Sequence, residues 1–321
     1  MLSRPGLEEV LAYRTHVDDA MAQWLGQGTP APGPAAVLEL GLHHEQQHQE
    51  LILTDVKHAL ASNPLRPAYH AGRVRPAPPP PVAPLHWQAC AETVTAVGHA
   101  GGGFHFDNET PHHRVLVPAH RIASRLVTNG EYLEFMRDGG YGRPECWLSE
   151  GWDTVRAQQW RAPLYWEERD GAWWNATLAG DRCVAPEEPV CHVSYFEADA
   201  FARWAGARLP TEFEWEQAAR SAAPDGNFLE DGILQPLPAG AGGGQWFGDV
   251  WEWTASAYAP YPGYAPAAGA LGEYNGKFMV NQMVLRGGSC ATPRAHIRAT
   301  YRNFFPAAAR WQFSGIRLAR S

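Results

Sequence analysis

The sequence predicts a mixed helix-and-strand protein in two parts: a pair of long helices, then a larger domain of short helices, short strands and loops. Three observations predict it. Apolar residues recur at three- to four-residue spacing from residue 7 to about residue 61. Five of the six residues from Pro76 to Pro81 are proline, a break between the parts. From Leu85 onward Trp and Gly become dense, and helical periodicity survives only in brief runs, two of them opened by capping boxes. At 321 residues the chain can hold one large domain or two ordinary ones, and 45% hydrophobic with 12% aromatic content suffices for a proper core. A net charge of −8 without a basic stripe argues against a nucleic-acid partner. No apolar run reaches the ~20 residues of a membrane span, and Met1-Leu2-Ser3-Arg4-Pro5 opens no signal-peptide core. Five scattered cysteines without CxxC spacing fit a cytoplasmic chain with free thiols.

The first helix is expected from residue 7 to about 26, with Val10, Tyr13, Val17, Met21 and Leu25 on one face. Gly26-Gln27-Gly28 and Pro30 to Pro34 end it. The second runs from about Ala35 to Ala61 and stops at Asn63-Pro64, because the residue before a proline is driven out of the α region. Two antiparallel helices cover each other on one side only. Val10, Tyr13, Leu38 and Leu51 are therefore expected to be buried on one side, with the rest of the stripe facing water. The domain boundaries follow: a helical region over 1–63, a Pro-rich polyproline linker over 64–84, and a second domain over 85–321. Within the last, Thr128 to Met136 reads as a short helix. Ser194-Tyr195-Phe196-Glu197 and Thr211-Glu212-Phe213-Glu214 are capping boxes that open two more. A chain this rich in Trp and Gly builds its core from aromatics.

The run His43-His44-Glu45-Gln46-Gln47-His48-Gln49-Glu50 concentrates the chemistry. On a helix, His44 and His48 stack one turn apart. Leu40, His44, Gln47, His48 and Leu51 fall on one stripe, so the imidazoles are expected on the buried face, where a polar pair needs a reason. Two nitrogen donors so spaced can hold iron, zinc, copper or nickel. They can equally be satisfied core histidines or a solvated patch. The run also satisfies the HExxH pattern of zinc peptidases, which requires a third ligand downstream.

Longer motifs carry a resemblance. Pro189-Val190, Val193-Ser194, Arg208-Leu209-Pro210-Thr211-Glu212-Phe213-Glu214-Trp215-Glu216, Gly248-Asp249-Val250-Trp251-Glu252-Trp253-Thr254, Leu285-Arg286-Gly287-Gly288-Ser289 and Ser314-Gly315-Ile316-Arg317-Leu318-Ala319-Arg320 resemble the formylglycine-generating-enzyme (sulfatase-modifying factor) domain over about residues 85–321. The resemblance implies a C-type-lectin-like α+β domain. His44 to Leu51, Gly103-Phe104-His105-Phe106-Asp107-Asn108-Glu109 and Asn281 to Arg286 are similar to the ergothioneine-biosynthesis sulfoxide synthases, which join a DinB-like helical bundle to that domain. The two helices here would then be part of such a bundle.

The resemblance implies non-heme iron(II), Fe(2+), on three histidines, two of them His44 and His48. It implies that O2 couples a thiol, cysteine or γ-glutamylcysteine, to C2 of hercynine (Nα-trimethylhistidine) and leaves a sulfoxide. Substrate contacts are expected from Gln47, one residue before His48 and able to point at a bound imidazole; from Asn303, for a carboxylate or amine; and from Phe304 and Phe305. A trimethylammonium cannot donate hydrogen bonds and needs an aromatic face. Ordinary core packing is the bland alternative for both phenylalanines. Glu45 is expected off the ligand face, and no catalytic residue is assigned.

The family's remaining histidine ligand lies on a helix upstream of the segment that starts here, and His16, His43, His58 and His70 stand at no matching position. The resemblance thus implies a chain lacking part of the bundle. The γ-glutamylcysteine-using branch carries an acidic residue and an arginine soon after its Arg-Asn-aromatic motif. Here Phe305 and Ala309 stand in their place, which favours cysteine. Two rival readings remain. A formylglycine-generating oxidase needs a late pair of metal-binding cysteines, and Cys290 has no partner in the residues that follow it. A lectin-like binding module without catalysis needs neither.

Overall fold

Residues 4–70, 82–240 and 244–321 are described by the computed structural model. The polyproline reading of Pro76 to Pro81 falls outside the described residues. Two compact units divide the chain, Met1–Glu45 and Gln46–Ser321. The first holds helix α1 (Leu7–Leu25) and the start of helix α2 (Pro32–Ser62). In α1, Glu9 reaches back to the Gly6 amide at 3.1 Å, and Arg14 pairs with Asp18 one turn on. Both partners are exposed, so water screens that pair and it adds little. No residue of α1 is buried; Val10 is 46% and Tyr13 72% exposed. The expectation that these two bury on one side is corrected: both are exposed, while Val17 and Met21 on the same stripe are half-buried.

The larger unit begins with the remainder of α2, whose buried side chains are Glu50, Leu53, Thr54 and Lys57, at i, i+3, i+4 and i+7. This corrects the expected inward stripe. His48 is exposed, while Gln47 and Leu51 are half-buried. The helix is turned so that two ionisable residues face inward, for reasons found in their partners below.

Four short helices follow: α3 (Asn129–Arg137), α4 (Ser149–Gln158), α5 (Tyr195–Trp204) and α6 (Glu212–Ala219). Three of them start as a capping box. The hydroxyl of Thr128, Ser194 or Thr211 accepts from the amide of Glu131, Glu197 or Glu214, and that glutamate accepts the cap's own amide at 2.9, 2.8 and 2.7 Å. The strands form small sheets. The largest places Gln282–Arg286 between Asn303–Pro306 and Trp251–Ala257, both antiparallel to it, with Ser314–Gly315 added parallel to Trp251–Ala257. A three-stranded antiparallel sheet joins Trp87–Cys90, His120–Ala123 and Ala319–Arg320. The mixed helix-and-sheet character agrees with an α+β class.

Trp215, Trp251 and Trp253 are among the largest fully buried side chains, so aromatics do dominate the core. Between them run buried ion pairs. Arg286 and Arg302 share Glu212, each at 2.8 Å, and Arg317 meets Glu252 at 2.6 Å. A guanidinium so placed would be costly if left unpaired. Each pair instead ties together segments far apart in sequence. No helix among the described residues is long and apolar enough to cross a membrane.

Candidate functional site

The site starts from Glu50. Its carboxylate accepts from the Trp251 indole at 2.8 Å, from the Ser289 hydroxyl at 2.6 Å and from the Thr292 hydroxyl at 2.8 Å. Burial raises the Glu50 carboxyl from its usual value, and the three donors oppose that shift. Ser289 reaches this place because Gly287 and Gly288 both adopt positive φ, +98° and +82°. A Cβ on Gly287 would lie 2.7 Å from the Trp246 carbonyl oxygen, which leaves glycine alone at that turn.

One turn before Glu50 lies Gln47. Its Nε2 donates to the Tyr301 hydroxyl at 2.5 Å, and the Tyr274 hydroxyl donates to its Oε1. Tyr301 in turn lies 3.0 Å from His296 Nε2. Aromatic rings wall this chain of polar groups. Phe106 stacks on Tyr274 with centroids 5.6 Å apart and meets Tyr301 edge-on at 5.5 Å; Trp251 meets Tyr301 at 5.4 Å. The Arg298 guanidinium lies over Phe106 and Tyr301, at 5.6 and 5.1 Å, and pairs with buried Glu109. Burial pushes both tyrosine hydroxyls up, so they remain neutral donors near neutral pH.

The strand residues named from sequence divide between two faces. Phe304 stacks on Tyr258, rings 3.9 Å apart and 10° from parallel, and Phe278 lies beyond at 5.9 Å. Phe305 packs edge-on against Trp311 at 4.8 Å. Alternation along Asn303–Pro306 puts Asn303 and Phe305 on one side and Phe304 on the other. All three are half-buried, and Asn303 Oδ1 accepts the Phe304 amide at 2.9 Å. The groups gathered around Gln47 are instead Tyr274, Tyr301, His296 and Phe106. Sequence reasoning named only the segment containing Phe106. No local pattern marks the other three, because Tyr274 and Tyr301 lie 227 and 254 residues from Gln47.

His44 and His48 stand four residues apart in the continuous helix α2, and Glu45 is exposed. Among the described residues no group of three or more His, Cys, Asp or Glu side chains is placed to hold a metal ion.

Two turns beyond Glu50, Lys57 forms a second polar anchor. Its Nζ lies 2.7 Å from His192 Nε2 and 4.9 Å from the centre of the Phe313 ring. Burial pulls the Lys57 amine down to about 8, and it holds the His192 ring well below its usual value, with the Lys57 charge adding to that. Cys191 and Cys290 share a buried core cluster close by; burial pushes the Cys191 thiol up to about 12 and raises the Cys290 thiol well above its usual value. Thiols so suppressed are poor metal ligands and poor nucleophiles.

Comparison with known proteins decides the family. The model of the sulfatase-modifying factor enzyme 1-like domain matches residues 84–246 and 236–321. A hercynine oxygenase of Mycobacterium tuberculosis is 36% identical over 316 residues, 90% of this chain and 72% of that protein. The chain belongs to the hercynine oxygenase family. Another member, from Mycolicibacterium smegmatis, is 35% identical over 328 residues, 90% of this chain and 73% of its own length. A formylglycine-generating enzyme of Streptomyces coelicolor is 31% identical over 251 residues, 60% of this chain and 75% of that one. Among solved structures, PvdO from Pseudomonas aeruginosa aligns with a TM-score of 0.49 at 20% identity, over 73% of this chain and 94% of that one.

Proposed function

We propose that this chain is an oxidoreductase of ergothioneine biosynthesis that modifies hercynine at the expense of dioxygen. Its similarity to hercynine oxygenases along nine-tenths of its length carries the reading. In the finer reading a thiol, cysteine in preference to γ-glutamylcysteine, is joined to C2 of the hercynine imidazole. The C2–H and S–H bonds break and the C–S and S=O bonds form. The second oxygen atom leaves as water, so the atoms balance. The preference for cysteine rests on Phe305 and Ala309, which offer a glutamyl group no charge.

Iron(II) is the cofactor we assign, with His44 and His48 as two of its ligands; imidazole nitrogen suits that metal. Because the donor set in the described residues is partial, no step is derived through the metal. The protein's own groups bind and orient. Gln47, held from both ends by tyrosine, meets the imidazole of the substrate, and Asn303 takes its carboxylate. Phe304 or Phe305 gives the trimethylammonium an aromatic face. These two lie on opposite sides of their strand, so one alone serves. We read α1 and α2 as part of a DinB-like bundle, the remainder as C-type-lectin-like, and the cytoplasm as the compartment.

Aerobic incubation with iron(II), hercynine and cysteine, followed by mass spectrometry and oxygen-electrode measurement, tests the reading. A sulfoxide adduct with matching oxygen uptake is expected. Neither adduct nor uptake with cysteine or γ-glutamylcysteine, in protein that holds iron, overturns it. The partial donor set favours one second reading, a lectin-like binding module, in which ligand binds and no oxygen is consumed.

A further inference from the structure

The groups around Gln47 form a directed chain. Tyr274 donates to Gln47 Oε1, Gln47 Nε2 donates to Tyr301 Oη, and Tyr301 lies 3.0 Å from His296 Nε2. A phenol and a carboxamide can each donate or accept. Nothing in the two tyrosines or in Gln47 therefore selects this direction over its reverse. In the reverse, the amide turns over, Tyr301 donates to Oε1 and Nε2 donates to Tyr274. A ring nitrogen does discriminate, because in a neutral imidazole one nitrogen only accepts and the other only donates. If His296 Nε2 accepts, Tyr301 must spend its single proton there. Its oxygen can then only accept from Gln47, and the amide is held with Nε2 toward Tyr301 and Oε1 toward Tyr274.

We propose that His296, acting through Tyr301, is the positioning residue that sets which end of the Gln47 amide faces each way, and so which group the substrate imidazole meets. This rests on Gln47 being an imidazole contact. His296 and Tyr301 are well suited to hold a fixed arrangement: they are 1% and 3% exposed, so water does not compete for the bond between them. Their rings also meet at 4.9 Å and 66°, and Phe106 lies edge-on to both. Gln47 keeps one lone pair on Oε1 and one N–H on Nε2 beyond the tyrosine bonds. Reversing the chain exchanges their positions. The substrate nitrogen that met a donor would then meet an acceptor.

Two arms test this on the full chain. The first needs no substrate. Nitrogen-15 NMR of histidine-labelled protein should show His296 in the Nδ1–H tautomer, with an unprotonated Nε2 whose shift moves in Tyr301→Phe. A protonated Nε2, or a shift indifferent to Tyr301→Phe, overturns the proposal. The second is calorimetric titration with hercynine. His296→Leu is expected to weaken binding about ten-fold. His296→Gln, whose Oε1 replaces the Nε2 acceptor, should bind within about two-fold of the parent. In the Tyr301→Phe background His296→Leu should add nothing, because its effect passes through the hydroxyl. An equal loss in both backgrounds refutes the proposal. If the parent itself does not bind hercynine, the proposed function fails, while the NMR arm still judges the role of His296.

Discussion

Lys57→Met should abolish a specific part of the alkaline stability profile. The Lys57 amine is pulled down to about 8 from 10.5 by burial. Between those values the unfolded chain binds a proton that the folded chain does not, so this residue makes stability rise with pH over that window. A gap of about 2.5 units corresponds to about 3 kcal/mol, as an upper figure, gained from pH 8 to 10.5. Below pH 8 the ammonium is charged in both states and its desolvation counts fully against folding. Cys191 acts in the opposite sense. Its thiol is raised from 9.0 to about 12, so stability is lost as pH climbs through that range. The parent profile contains both trends; Lys57→Met removes the rising one, and because the Lys57 charge lowers the Cys191 thiol, it leaves the falling one slightly stronger. Urea unfolding of both proteins at pH 7.5, 8.5, 9.5 and 10.5 gives that difference. At pH 7.5 the variant should match or exceed the parent, because removal of the buried charge offsets the loss of the bond to His192. By pH 10.5 the parent should have gained stability relative to it, up to about 3 kcal/mol. Parallel profiles would refute the assignment of the rising trend to Lys57.

Glu50→Ala should cost roughly 2–4 kcal/mol in unfolding measurements, mainly because the Trp251 indole N–H loses its acceptor. Hydrogen exchange should rise first around residues 46–52, and an unchanged exchange pattern there would speak against Glu50 as the anchor of that turn. His48→Ala should lower bound iron(II) in metal analysis of a chain supplied with the metal, and unaltered occupancy would remove His48 as a ligand. Phe304→Ala should weaken hercynine binding about ten-fold, a change of ~1.4 kcal/mol, if its ring is the one facing the ammonium. Calorimetry showing no change would leave Phe304 as a packing partner of Tyr258 and shift the role to Phe305.

Much of the local structure was legible in the sequence. The caps at Thr128, Ser194 and Thr211 are formed within three residues, so their chemistry is written in adjacent letters. The two long helices followed from periodicity, and the mixed helix-and-strand class from the family resemblance carried by the longer motifs. The facing of α2 did not. Apolar periodicity puts Leu40 and Leu51 on the inward stripe and says nothing of Glu50 and Lys57. Their partners Trp251, Thr292 and His192 lie 201, 242 and 135 residues away. A buried charge with a distant partner leaves no periodic trace. That Phe304 and Phe305 lie on opposite sides of their segment also needed the structure: the segment is a strand, and neighbours in a strand point to opposite faces. The Gln47 chain needed the fold, since Tyr274 and the segment carrying His296 and Tyr301 come to it from far along the chain.

The shared carboxylates of the core carry a consequence for behaviour on heating. Arg286 and Arg302 on Glu212, and Arg317 on Glu252, are all nearly inaccessible to water. The cost of stripping water from such ions declines as temperature rises, because hydration of charge carries a strongly unfavourable entropy, while the benefit of apolar burial levels off. Guanidinium–carboxylate pairs that roughly break even in the cold thus become a larger share of what keeps this domain together when warm. Added salt, which reaches only exposed charge, should leave that share untouched.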